Sequence, residues 1–240
     1  MKTKLWIGLF SLLLLTGCHS KQLNTSSSPN LDSEENNSTT EIIDTTTPSV
    51  DQPAEEEATG QKIFFTKEYK VYINPSVQFK NQYADNIHNE GQVMNEIALL
   101  LVNRLKSETN LMVKANLDGL SLSQSVKESN AFQPDAHFAI HSNGGGGTGS
   151  EVWVSKNSYT FGKMILDELN QIHNYKNRGV KYGDGTDASL YEIKNVLAPT
   201  ALIEILFHDE LNQANFILNH KQEIADSFFR GIVNYFQQVD

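Results

Sequence analysis

Two hydrophobic periods alternate along this chain from Ile63 onward. Runs of period two, expected of strands, occupy 71–73, 111–114, 136–141, 151–154 and 201–207. In the third run Ala136, Phe138 and Ile140 alternate with His137, Ala139 and His141, and Asn143 and four glycines end it. Helical spacing joins Val93, Ile97, Leu101 and Leu105, then Phe161, Ile165, Leu169 and Ile172, then Ile224, Phe228, Ile232 and Phe236. Asn89, with Gln92 three residues on, predicts a capping box at the start of the first of these helices. A shorter helix is expected over 121–129, and 177–186 reads as a polar, glycine-bearing loop. Strands alternating with helices predict one α/β domain, with a twisted, mostly parallel sheet flanked by helices. The run 201–207 is nearly all apolar, as a central strand covered on both faces requires.

The first sixty residues break this pattern. Lys2 and Lys4 precede an apolar stretch over 5–15, which ends in Leu15-Thr16-Gly17-Cys18. That is the layout of a secretory signal, too short for a permanent membrane span. The last four residues resemble the bacterial lipobox, which implies that 1–18 is a lipoprotein signal and that Cys18 becomes the lipidated first residue. Cys18 is the sole cysteine, so no intrachain disulfide can form. Ser, Thr, Asn, Pro and acidic residues dominate 19–62, which reads as a disordered tether with a root-mean-square span of roughly 35 Å. The predicted organisation is therefore an anchor, a tether and a catalytic domain over 63–240, held outside the cytoplasm on a bacterial membrane.

Charge narrows the partners. The formal net charge is −10 and no basic cluster occurs, so the footprint of a nucleic-acid binder is missing. An acidic chain also lacks the means of charge-driven docking on anionic lipid, which leaves the anchoring to the lipid on Cys18.

The main local anomaly is Glu204, a carboxylate inside Ala-Leu-Ile-Glu-Ile-Leu-Phe. A carboxylate there must be paired, bound to a metal or protonated, and a raised pKa suits a general acid/base. His208 lies four residues on, on the same side of an extended strand, and Asp209 beside it is placed to orient an imidazole. Glu90, His141, Glu204 and His208 together offer the ligands and the base of a catalytic zinc site, although no tight ligand motif such as HExxH is present. From its local sequence alone Glu90 is better read as a helix-dipole partner.

In order along the chain stand Glu90 with Ile97-Ala98, His141-Ser142-Asn143, Gly149-Ser150-Glu151-Val152, Arg178-Gly179-Val180 and Leu202-Ile203-Glu204-Ile205-Leu206-Phe207. In these motifs the chain resembles the zinc-dependent N-acetylmuramoyl-L-alanine amidases of the amidase 3 type, from Ile63 to Phe236. The resemblance implies a hydrolase that cuts the amide between the muramoyl lactyl group and L-alanine in peptidoglycan, using zinc-activated water. It makes Glu204 the catalytic base, then acid, and Glu90 and His141 metal ligands. The family's first metal histidine is missing: Asn74-Pro75-Ser76-Val77-Gln78 occupies that stretch. A branch with a Ser-Pro-Ser-x-Gln start and a later Phe-His-Asp resembles this chain at Phe207-His208-Asp209, which implies that His208 replaces the lost ligand. His88 is the alternative. Arg178, Gln78 and Asn143 are the expected substrate contacts. The missing histidine also keeps open a non-catalytic domain that binds peptidoglycan or a partner, and a third reading is hydrolysis of another amide.

Overall fold

The computed structural model describes residues 62–240. The signal, the lipobox and nearly all of the tether expected from the sequence lie outside the described residues. Within them the chain order is β1 (Lys70–Pro75), α1 (Glu90–Glu108), β2 (Met112–Ala115), α2 (Leu122–Phe132), β3 (Ala136–Asn143) and β4 (Ser150–Val154). There follow α3 (Tyr159–Leu169), β5 (Asn177–Tyr182), α4 (Tyr191–Asn195), β6 (Thr200–Phe207), α5 (Leu211–Asn219) and α6 (Lys221–Val239).

The six strands form one sheet in the order β2-β1-β3-β6-β4-β5. All neighbours are parallel except β4 and β6, which pair antiparallel. This is the mostly parallel α/β architecture that the alternation predicts. β6 is central, as its apolar run requires.

Strand parity divides the sheet into two unequal faces. Phe138, Ile140, Ala201, Ile203 and Val152 point into the main core, which α1, α3 and α6 close with residues such as Ile97, Leu101, Ile165, Phe228 and Ile232. On the other face Ala139 and Leu202 meet only Ile193, Trp153 and Leu190. Short α4 and α2 cover that second face, so it stays open toward β4 and β5. His141, Glu151 and Glu204 all project from this thinly covered side, by the same parity that puts Ala139, Trp153 and Leu202 there.

Local signals explain the helix starts. Asn89 caps α1 by accepting the N–H of Gln92 at 3.0 Å, which places Glu90 in the first turn. The expected polar loop over 177–186 is in fact a strand for its first six residues, β5. It is the edge strand, and every one of its residues keeps some exposure, so it has no buried face to produce an apolar alternation. Gly179 takes φ +83° there, where the β4–β5 register slips between Ser150 and Val152. Helices α4 and α5 were also not legible; the first has only five residues, at polar Tyr191-Glu192-Ile193-Lys194-Asn195.

Candidate functional site

A cavity of about 430 Å³ opens at the end of the sheet where β1, β3 and β6 finish. Open α/β sheets place ligands at this position, where strand order reverses from β1 toward β2 on one side and β3 on the other. Glu90, Asn143, Glu204, His208 and Gln78 all line it. Four separate stretches of chain therefore deliver their sequence-predicted residues to one place.

Glu90 is 1% exposed, far more buried than a surface dipole partner. Its Oε2 accepts from Asn81 Nδ2 at 2.7 Å. Its Oε1 lies 3.0 Å from His141 Nδ1, yet makes no aligned hydrogen bond. Burial by itself would raise the Glu90 carboxyl, but His141 and Asn81 outweigh it and hold the group below the usual carboxylate range. Burial opposes charge on His141 as well, and the carboxylates of Glu90 and Glu204 overcome it, raising the imidazole to about 9. Two tetrahedral ligands at 2.0–2.2 Å from one zinc lie about 3.4 Å from each other. The unaligned Glu90–His141 approach, at 3.0 Å, is somewhat closer than that.

His208 is held as a ligand histidine is held. Its Nδ1 is 3.0 Å from the carbonyl oxygen of Ser142, which only accepts, so Nδ1 carries the proton and Nε2 keeps its lone pair. Tyr83 stacks on the ring at 5.5 Å, and Gly144 leaves room on its Nε2 side, where a Cβ would come within 3.1 Å. The donor set of Glu90, His141 and His208 thus fits zinc in kind. Among the described residues, however, no three His, Cys, Asp or Glu side chains are gathered at metal-binding distance. His88 is not in the cavity; its Nδ1 pairs with Asp85 Oδ2 at 2.5 Å.

Glu204 is only half-exposed as a residue, and its Oε2 is fully enclosed with no hydrogen-bond partner. Desolvation pushes its carboxyl up to about 7; His141 opposes this, while Glu90 and Glu151 add to it. The proton demand of an acid/base group near neutral pH is met by the environment that the sequence pattern implied.

The expected substrate residues divide. Gln78 borders the cavity, accepts from Asn81 Nδ2 at 3.0 Å and places Nε2 3.4 Å from His141 Nδ1. Asn143 is tied down: its Oδ1 accepts from Gly144 at 2.9 Å. Arg178 does not hang free in a loop. Its Nε meets Glu151 Oε2 at 2.5 Å, its guanidinium lies 5.1 Å over the Phe207 ring, and Lys181 pairs with the same carboxylate oxygen. Glu151 carries one negative charge between two cations, so this three-residue cluster holds a net positive charge.

One expectation at the site needs correction. Asp209 does not orient an imidazole; its Oδ2 accepts the backbone N–H groups of Gly145 and Gly146 at 2.7 and 2.9 Å and so fixes the glycine loop. Gln213, missed in the sequence, pins the same loop by accepting from Gly149 at 3.0 Å and donating to the Gly147 carbonyl at 2.8 Å. His173 is buried and bonded to Ser150 Oγ at 2.8 Å.

The sequence profile of the amidase 3 family, described as N-acetylmuramoyl-L-alanine amidase, matches residues 53–234. The chain belongs to the amidase 3 family. It is 26% identical over 178 residues to the N-acetylmuramoyl-L-alanine amidase CwlM of Bacillus licheniformis, covering 70% of this chain and 68% of that protein. The fold is similar to an N-acetylmuramoyl-L-alanine amidase from Clostridium difficile 630, with a TM-score of 0.65, 19% identity and coverage of 72% of this chain and 99% of that one. It is also similar to the catalytic domain of CwlV from Bacillus (Paenibacillus) polymyxa var. colistinus, with a TM-score of 0.64, 19% identity and coverage of 70% and 98%. Against the amidase 3 pattern, Val77 stands in the stretch where the first histidine is expected, and an isopropyl group offers no lone pair.

Proposed function

We propose that this chain is a lipid-anchored N-acetylmuramoyl-L-alanine amidase that hydrolyses peptidoglycan outside the cytoplasmic membrane, with zinc held by Glu90, His141 and His208. The observation that carries the reading is that Glu204, poised at about 7, and Glu90 line one cavity, with His141 paired to Glu90 beside it. Zinc bound to these donors supplies Lewis-acid polarisation of the scissile carbonyl.

The side chains do the rest. Glu204, in the unprotonated form that makes up about half of the molecules near pH 7, takes a proton from the attacking water. The water oxygen bonds to the lactyl carbonyl carbon, the carbon–nitrogen bond breaks, and Glu204 returns the proton to the alanine nitrogen. A muramoyl carboxylate and an L-alanyl amine leave. Gln78 and Asn143 border the substrate, and the excess positive charge of Arg178 and Lys181 beside Glu151 favours a stem-peptide carboxylate. Lipid on Cys18 and the tether over 19–62 would keep the domain over 63–240 within reach of the wall.

A second reading, a non-catalytic domain that binds peptidoglycan, is favoured by Val77 and by the open spacing of the metal donors. Zinc stoichiometry of the full chain separates the two. About one zinc, lost in His141→Ala and in His208→Ala but kept in His88→Ala, together with release of peptides beginning in L-alanine, supports the amidase. A chain that takes no zinc after reconstitution and releases no such peptides is the binding domain.

A further inference from the structure

Beside the candidate site lies a second, smaller cavity of about 100 Å³. Gln78 lines both spaces, and His141, which pairs with Glu90 of the larger one, lines the smaller. Pro75, Val77 and Leu122 bring apolar side chains to its lining, and Glu192 borders it as well.

Glu192 is 2% exposed. Both of its hydrogen bonds fall on Oε1, from Asn74 Nδ2 at 2.5 Å and from His137 Nε2 at 2.7 Å. Oε2 takes none among the described residues. Desolvation works against the charge, but His137 overcomes it and keeps the carboxyl below its usual range. His137 cannot turn to serve the second oxygen: it is fully buried, bonded to Ser129 Oγ at 2.8 Å and stacked 5.2 Å from the Tyr72 ring. Unlike Glu204 Oε2, this oxygen is not fully enclosed; Glu192 borders the cavity, so a donor on whatever fills that space can reach it.

We propose that this cavity is a binding chamber for the acetamido group that N-acetylmuramic acid carries on the ring carbon next to the one bearing the lactyl ether. The proposal rests on the amidase reading. Three small groups of that substrate lie near the scissile amide: the alanine methyl, the lactyl methyl and the acetamido. Only the acetamido brings both an N–H for Glu192 Oε2 and a methyl for Pro75, Val77 and Leu122. Its size agrees: at about 30 Å³ per water, the space takes roughly three or four heavy atoms. Val77, standing where the family places a histidine, gives this wall its apolar character.

The test uses the full chain with Glu204→Gln to stop turnover. Calorimetric titration compares N-acetylmuramoyl-L-alanyl-D-isoglutamine with its free-amine counterpart, and cleavage of both by the unaltered chain is followed in parallel. The acetylated ligand is expected to bind at least about tenfold tighter, a preference near 1.4 kcal/mol. Leu122→Trp, placed at a partly exposed helix position so that its ring enters the cavity without disturbing the Glu192–His137 pair, is expected to abolish the preference. Equal binding, tighter binding of the free amine, or a preference that survives Leu122→Trp overturns the chamber, and it overturns the chamber alone where the unaltered chain still cleaves. Absence of both binding and cleavage overturns the amidase reading and the chamber with it.

Discussion

Glu151 and Glu204 stand directly opposite each other across the antiparallel pairing of β4 and β6. Two carboxylates on neighbouring strands cannot ionise independently. The protein resolves the conflict by unequal partners. Glu151 receives Arg178 and Lys181, which overcome its burial and hold it below the usual range. Glu204 receives no hydrogen bond on its enclosed oxygen and keeps its proton to about 7. Glu151→Gln removes a charge that raises Glu204 and leaves both cations in place. The acid limb of the pH–rate profile is therefore expected to move downward from about 7 while the chain stays folded. A limb that stays in place would show that Glu151 does not tune Glu204.

Replacing Glu204 itself separates chemistry from stability. Glu204→Gln is expected to lower kcat by about 10²–10⁴, the range for a positioned acid/base group. Its effect on folding has the opposite sign. The folded carboxyl binds its proton more tightly than the unfolded one, with a pKa near 7 against 4.5. That stabilisation is complete below 4.5 and is lost as pH rises through 7. Above pH 7 the metal-free wild type carries a poorly solvated carboxylate that the amide variant lacks. Urea titrations of the metal-free proteins should find Glu204→Gln more stable by about 2–3 kcal/mol at pH 8, with the gap closing toward pH 4. An unchanged gap across this range would exclude the raised pKa.

How much of this was legible depended on whether a residue's neighbours in sequence are also its neighbours in space. β6 and the helices α1 and α6 bury a regular face, so period alone placed them. Glu204 was visible because its apolar flanks made its charge anomalous. Glu192 was not, because its burial comes from Asn74 and His137 on β1 and β3, while its own flanks Tyr191 and Ile193 belong to a short, otherwise polar segment. Glu90 was ambiguous for a related reason: a first-turn glutamate beside a cap serves the helix dipole, and only the approach of His141 from another strand distinguishes the two roles. Edge strand β5, polar and half-exposed throughout, gave no period at all.

The buried His137–Glu192 pair yields a stability prediction independent of activity. Both groups are inaccessible and 2.7 Å apart. His137→Leu removes the partner but not the charge, and breaking a buried pair in this way costs about 3–5 kcal/mol. The double variant His137→Leu with Glu192→Met removes the carboxylate as well as its partner and is expected to recover most of that loss. Thermal or denaturant unfolding reads the cycle directly, and a single variant within about 1 kcal/mol of the parent would show that the pair contributes little.

The glycine loop provides an internal contrast between steric and purely conformational demand. Gly145 and Gly149 have nearly the same backbone angle, with φ at +98° and +97°. Beyond Gly145 there is open space; a Cβ on Gly149 would lie 1.8 Å from the carbonyl oxygen of Lys176, which also accepts the N–H of Ser150. Gly145→Ala therefore carries only the left-handed backbone penalty, about 1–2 kcal/mol. Gly149→Ala adds a collision with backbone that cannot swing aside, in the turn that leads into β4 and sets Glu151 opposite Glu204. It is expected to lower stability by more than about 4 kcal/mol and to reduce activity even where the chain still folds, because β4 must shift to relieve the contact. Unfolding midpoints of the two alanine variants, measured side by side, check this. Equal losses would mean that the loop, and not its contact with Lys176, dictates the glycine at 149.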